Sequence, residues 1–537
     1  MKKLHFILFP LILLTIQFFL FKDTNINPFH NENLTQELSG DLAINHWALM
    51  RSLNHPTKTE FYNECQYSNK GCMRFDAVPF EWNFYLLSSK IMHSFNLSPT
   101  KFINLVYYFS ISLNIIIAYI VFFYLLKDFL FAFSFSIPVA FHYSVIARTT
   151  LGHLLLALIA PSLILLVLYI SRLRNIEHFT DFRSKKYWFS SFLIFLSFFP
   201  LMNFSFSYTL LTAILCIGLT LFYYLKKKHI WTKKIIIPLF LPIVLSLIIN
   251  LSFNTHLFFG ANGVKDADIF NRKPIGVSLY SARIPDFFRP TAGTLIQRLF
   301  HLNQPLARGE VYSFLGTGLL LVLLICLFSF LKKSELKKEN IKKVFKQNEN
   351  AFIFSCMSLF TFFYNMKLGG YTIFYTLSKG VRSYNRMAPF TVFFFLLAIG
   401  TFLQTKNKKF KYSMCSLIFI FSLWDTFHIE PIEKLKTYTA SKSFVNEEKK
   451  IEMISNSLES VCHRGIVELS PEFKKVFLDS QWVPLYLIEK NKCPNIIGGP
   501  YQTEFPKSDI SNLQKLGKFT IKDDTYAGIE HIEFSNN

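Results

Sequence analysis

The chain has 537 residues, of which 51% are hydrophobic and 17% aromatic, with 63 Phe. Only 17% are charged, where an ordinary soluble chain carries about 25%, and the mean hydropathy is +0.30. The formal net charge of +22 suggests a polyanion such as nucleic acid, but the positions of the basic residues exclude that reading in favour of a membrane one.

The first apolar run, Leu4–Phe21, follows Lys2 and Lys3 and continues as FFLFKDTN without a small-x-small cleavage site. It reads as an uncleaved first helix rather than a signal peptide. A membrane crossing needs about 20 residues. Ten further runs approach that length: Phe102–Leu126, Phe129–Ala147, Leu154–Ile170, Trp188–Phe204, Tyr208–Leu225, Ile235–Phe253, Phe314–Leu331, Ala351–Tyr364, Met387–Phe402 and Tyr412–Phe427. The expected fold class is therefore an all-α polytopic membrane protein of about 11 transmembrane helices with a small outer α/β C-terminal domain. Segments alternating from the N-terminus hold 24 Lys/Arg against 6 Asp/Glu, and the other side holds 33 against 29 over far more residues. This bias sets the N-terminus inside and the C-terminus outside a cytoplasmic (inner) membrane, and no nucleic-acid partner is needed to explain the basicity. Every Lys and Arg falls in a loop or at a helix end, which argues against a charge-lined channel or a voltage sensor.

The membrane domain covers 1–427, with outer loops at 22–101, 254–313 and 365–386. After Phe427 the composition changes. Residues 444–460 have helical spacing, and GIVELS, PLYLIE and CPNIIGGP read as short strands, giving a soluble outer α/β domain over 428–537. Cys216, Cys326, Cys356 and Cys415 fall in apolar runs, where a thiol behaves as a small hydrophobe. Cys65, Cys72, Cys462 and Cys493 fall in outer segments, and Cys65–Cys72 and Cys462–Cys493 are the simplest disulfide pairing. No spacing suggests a metal site.

Chemistry-bearing residues cluster on the proposed outer side. SGDLAINHWALMRSL places Asp41, His46 and Arg51 on an interfacial helix. Asp41 follows Gly40, where an N-cap is equally well served by a carboxylate, and both roles stand at this point. ARTTLGH brings Arg148 and His153 together across a turn; a snorkelling Arg and a capping His are the plainer alternative. KGVRSYNRMAPF sets Arg382 and Arg386 at i and i+4, where two guanidiniums on one face favour an anion between them; anchoring at the membrane interface is the other use for such a pair. A lipid phosphate is the natural ligand of such cations, and the partners expected are membrane lipids.

A long first outer loop opening on an acid, many apolar helices and a soluble outer C-terminal segment resemble the GT-C class of membrane glycosyltransferases. GHLLLALIAP, SLYSARIPDFFRP, VRSYNRMAPF and IIGGPYQTEFP are similar to stretches of bacterial multi-pass sugar-transfer proteins of that class, including YfhO-like ones. The resemblance implies transfer of a sugar from a polyprenyl-phosphate-linked donor to a glycan or lipid acceptor on the outer face. It implies Asp41 as general base or transition-state stabiliser; chemistry and position assign Arg148, His153, Arg382 and Arg386 to the donor phosphate, with His46, Arg51, Asp76 and Glu81 as additional candidates. Many members place a second acid near the first, sometimes with a divalent metal. Here the next first-loop acids are Glu60, Glu64, Asp76 and Glu81, so the chain departs from that pattern and no cofactor is assigned. A lipid or polysaccharide transporter and a non-catalytic membrane scaffold with an outer binding domain are the competing functions.

Overall fold

The computed structural model describes residues 2–24, 26–28, 45, 48–50, 52–54, 82–150, 153–175, 182–204, 206–226, 233–253, 282–288, 294–299, 313–332, 349–366, 384–429, 431–433, 435–436, 466–469, 496–497, 515–522 and 531–535. Helix α1 (Lys2–Phe21) is followed by α2 (Trp82–Phe95) and by the longest helix, α3 (Pro99–Leu126). The start of α3 is written in its sequence: Ser98 caps it by accepting from the Lys101 N–H, and Pro99 supplies the fixed φ of a first turn. Lys127 closes α3 with a left-handed φ of 56°, its N–H donating to Phe123 O. Asp128 then caps α4 (Phe129–Ala140) by accepting from the Leu130 and Phe131 N–H groups. A two-residue connection of this kind folds α3 and α4 back on each other as antiparallel neighbours.

Aromatic rings fill the interior. Phe122 of α3 packs between Phe135 at 5.6 Å and Phe393 at 5.3 Å between centroids, and Phe9 of α1 meets Phe133 at 4.9 Å. Beyond α4 the chain breaks at Phe141–His142 and turns by 47° into α5 (Tyr143–Thr150). His142 holds this break. Its Nδ1 accepts from the Ser144 N–H at 3.2 Å, which leaves the ring proton on Nε2 to donate to Phe314 O at 3.1 Å. A 3-10 turn (Leu154–Ala157) and α6 (Ala160–Arg174) follow, then α7 (Lys185–Phe204), α8 (Phe206–Lys226) and α9 (Lys233–Phe253). Two short helices, α10 (Ile284–Phe288) and α11 (Leu295–Leu299), precede α12 (Thr317–Lys332) and α13 (Glu349–Asn365). A 3-10 turn (Tyr384–Met387) leads into α14 (Ala388–Leu403), and α15 (Lys408–His428) closes the helical part.

Two glycines allow close backbone approach. A Cβ on Gly318 of α12 would lie 2.9 Å from the Ile418 carbonyl oxygen of α15, and one on Gly400 of α14 would lie 2.7 Å from a Leu126 methyl. The C-terminal strands β1 (Ile466–Leu469), β2 (Ile496–Ile497), β3 (Lys515–Lys522) and β4 (His531–Ser535) form one sheet in the order β2-β1-β3-β4. β1 runs parallel to β2 and β3, and β3 pairs antiparallel with β4, with Phe519 opposite Phe534. β1 lies in GIVELS and β2 in CPNIIGGP. PLYLIE and 444–460 lie outside the described residues.

These helices correct the expected fold class of about 11 transmembrane helices with an outer α/β domain. Among the described residues one helix, α3, is long and apolar enough to cross a membrane, and two such spans result if the bent pair α4–α5 is taken as one. The sequence overcounts because an apolar run serves a buried helix as well as a lipid-facing one. Leu154–Ile170, read as one span, is a 3-10 turn and the 15-residue α6; α14 has 16 residues and is buried along most of its length. At 1.5 Å per residue such helices reach about 22–24 Å, short of a ~30 Å hydrocarbon core.

Candidate anion site

Four chain segments converge at one end of the helices. The Arg148 side chain, 1% exposed near the end of α5, donates from Nη1 to His153 Nδ1 at 2.7 Å. The same turn is closed by the His153 N–H donating to Arg148 O at 3.0 Å. A guanidinium has no acceptor, so this contact fixes His153 as the neutral ring with its proton on Nε2. The third segment is the first turn of α8, where the buried Tyr208 hydroxyl donates to Leu156 O at 2.9 Å. The Tyr208 ring meets Phe390 of α14 edge-on at 5.9 Å. The fourth is the 3-10 turn before α14, which carries Arg386. Tyr208 thus links the turn after His153, through Leu156 O, to the first turn of α14, which directly follows Arg386. The site thus combines two forked cations with a neutral imidazole, a set suited to a phosphate or another oxyanion.

Two buried amides form hydrogen bonds behind the cluster. Asn114 of α3 is fully buried; its Oδ1 accepts from the Ile159 and Ala160 N–H groups, each at 2.9 Å, and its Nδ2 donates to Ala157 O at 2.7 Å. This one amide ties the 3-10 turn after His153 to the start of α6. Asn114→Ala is expected to cost about 2 kcal/mol, since it leaves two buried N–H groups without acceptors. A chemical-denaturation midpoint equal to that of the parent would contradict this account. On the Arg386 side, Asn365 at the end of α13 donates from Nδ2 to Thr391 Oγ1 at 2.8 Å, anchoring the start of α14, while its backbone carbonyl accepts the Ala282 N–H at 2.9 Å.

Of the residues expected from sequence, Arg148 and His153 are in direct contact, and Arg386 lies in the turn before α14, whose Phe390 meets Tyr208. Asp41, His46, Arg51, Asp76, Glu81 and Arg382 lie outside the described residues, as do Cys65, Cys72, Cys462 and Cys493. Among the described residues no three His, Cys, Asp or Glu side chains gather as a metal site requires. Sequence reasoning missed Tyr208 and Asn114. A polar side chain opening or interrupting an apolar run is the signal that marks both. It also missed Asp425 of α15 and Arg172 of α6, two buried ionisable groups within helices. Arg172 donates to Ser190 Oγ at 2.7 Å, Ser191 Oγ at 2.6 Å and Tyr187 O at 3.0 Å, cross-linking α6 to α7.

No curated protein and no solved structure matches the chain. Residues 12–427, the helical part up to the last turn of α15, match one family, and the chain belongs to that family, described as a domain of unknown function (DUF6311).

Proposed function

We propose that the chain is a glycosyltransferase of the cytoplasmic membrane, moving a sugar from a polyprenyl-phosphate donor to a glycan or lipid acceptor on the outer face. The observation that carries this reading is the buried Arg148–His153 pair, with Tyr208 linking its turn to the start of α14 beside Arg386. Large apolar side chains also point outward along several helices, among them Phe109 on α3, Phe192 on α7, Ile217 on α8 and Ile248 on α9. A surface of that kind suits acyl chains and keeps a lipid-linked donor within reach of the cluster.

The chemistry is a single displacement. The acceptor hydroxyl oxygen forms a bond to the anomeric carbon, and its proton passes to the Asp41 carboxylate. The bond between the anomeric carbon and the phosphate oxygen breaks, and the lipid phosphate leaves with the electron pair. Arg148 and Arg386 bind the charge that develops there, and a preorganised cation is most effective at that point. His153, held neutral by Arg148, contributes a hydrogen bond without adding charge.

Purified full-length protein supplied with a radiolabelled polyprenyl-phosphate sugar and membrane glycan is expected to move label to the acceptor fraction. Label that stays on the donor across a panel of polyprenyl-phosphate hexoses and pentoses would reject the reading.

A further inference from the structure

The opposite end of the helices has a second, differently built character. Lys127 lies over the Tyr124 ring at 4.2 Å, Arg174 over Phe354 at 5.5 Å, Lys226 over Phe352 at 5.7 Å and Lys406 over Phe402 at 4.5 Å. Lys411 lies over Phe131 and Tyr412 at 5.3 and 5.5 Å and pairs with Asp128. Arg172 lies over the Tyr187 ring at 5.0 Å beside them.

Cross-links show that these groups share one end of the fold. Tyr124 is hydrogen-bonded to Ser171 at 2.9 Å, Arg174 donates to Asn350 at 3.2 Å, and Gln404 donates to Leu126 O. The ends of α3, α6 and α14 and the starts of α4, α13 and α15 therefore meet here. Tyr124, Trp188, Phe189, Tyr224 and Tyr412, all exposed, flank the cations. Among the described residues, Lys127, Arg174, Lys226, Lys406 and Lys411 gather here against Asp128. Helix α8 carries Tyr208 of the anion site near its start and Lys226 at its end, a separation of about 27 Å along the helix.

We infer that this end, opposite the Arg148–His153 turn along the helices, is a docking surface for the head groups of anionic phospholipids. Three features select that partner. The excess of positive charge matches an acidic surface. Cations laid along aromatic rings beside exposed Trp and Tyr fit the boundary where apolar and hydrated layers meet. The apolar outer faces of α7 and α8 run directly from this rim, so a head group held here leaves its chains against protein rather than in water. A nucleic acid or a small free anion meets the first condition and neither of the others.

The test is lipid selection by the purified full chain in nanodiscs of equal phosphatidylglycerol and phosphatidylcholine, read by native mass spectrometry of the lipids retained on release. Enrichment of phosphatidylglycerol over phosphatidylcholine is expected, and 1 M salt should abolish it, roughly as screening at a ~3 Å Debye length requires. A variant with Lys127, Arg174, Lys226 and Lys406 changed to Gln should lose about tenfold or more of the enrichment. The charge-preserving set (each Lys to Arg, Arg174 to Lys) should keep it, which separates charge from folding. Equal retention of the two lipids by the parent protein would overturn the inference. So would displacement of the bound lipid by millimolar inorganic phosphate or by a short oligonucleotide, which would mean a small-anion or a nucleic-acid site. The readout needs no sugar transfer and touches no residue of the anion site, so it stands or falls apart from the glycosyltransferase reading.

Discussion

Asp41→Asn is expected to lower sugar transfer about 10²–10⁴-fold, the usual contribution of a positioned proton acceptor, while leaving the yield of folded protein unchanged. The fold-change corresponds to roughly 3–5 kcal/mol of transition-state stabilisation. Asn is the informative replacement because it serves an N-cap as well as Asp does but cannot take a proton from the acceptor hydroxyl. Ala would remove both functions and distinguish neither. Arg382→Ala and Arg386→Ala should act on a different parameter. On the proposed reading each would delete a charge-assisted contact to the donor phosphate, so the donor KM should rise more than kcat falls. Initial rates across donor concentrations separate the two patterns. Undiminished transfer by the Asp41→Asn protein would remove the carboxylate from the mechanism and leave Arg148 and Arg386 as an anion-binding site alone.

What could be read from the sequence depended on how far apart the interacting residues lie along it. Ser98-Pro99 and Lys127-Asp128 mark the ends of α3 and the start of α4 through local capping rules, and the structure uses them that way. Arg148 and His153 are five residues apart, and their meeting needs only one turn. Tyr208 joins them through its hydrogen bond to Leu156 O and its ring contact with Phe390 of α14, which no local pattern encodes. The number of crossings was misjudged for a related reason. Hydropathy reports that a helix avoids water, whereas the choice between lipid and protein as its surroundings is made by the neighbours it packs against, as α14 shows. Arg172 and Asp425 were overlooked because each lies near the end of an apolar helix. Their partners sit 15–19 residues away for Arg172 and 108–130 for Asp425.

Asp425→Ala is expected to destabilise the protein by about 3–4 kcal/mol, the largest loss of stability anticipated for a single polar side chain here. The carboxylate lies in the last turn of α15 and is 7% exposed. Its Oδ2 accepts the Thr317 N–H at 2.7 Å; its Oδ1 accepts the Thr317 hydroxyl at 2.9 Å and the Leu295 N–H at 3.1 Å. It therefore caps α12 and α11 at once, from a third helix, and an anion at a helix start is favoured by the exposed N–H groups there. The preceding Gly316 has φ +94°, a left-handed conformation that turns the chain into α12 beneath the carboxylate. Two residues on, Gly318 lets α12 lie directly on the α15 backbone at Ile418, so losing the cap loosens the closest helix–helix contact of this region. Asp425→Asn should cost less, because one acceptor oxygen remains while the amide NH₂ faces a donor. Thr317→Val should cost least, about 1 kcal/mol for one hydroxyl. The double variant Asp425→Ala/Thr317→Val should be no less stable than Asp425→Ala alone, because the hydroxyl bond is already gone. Denaturation midpoints of the four proteins in one detergent give the order. An Asp425→Ala midpoint equal to that of the parent, or additive losses in the double variant, would show that the three contacts do not act through the carboxylate.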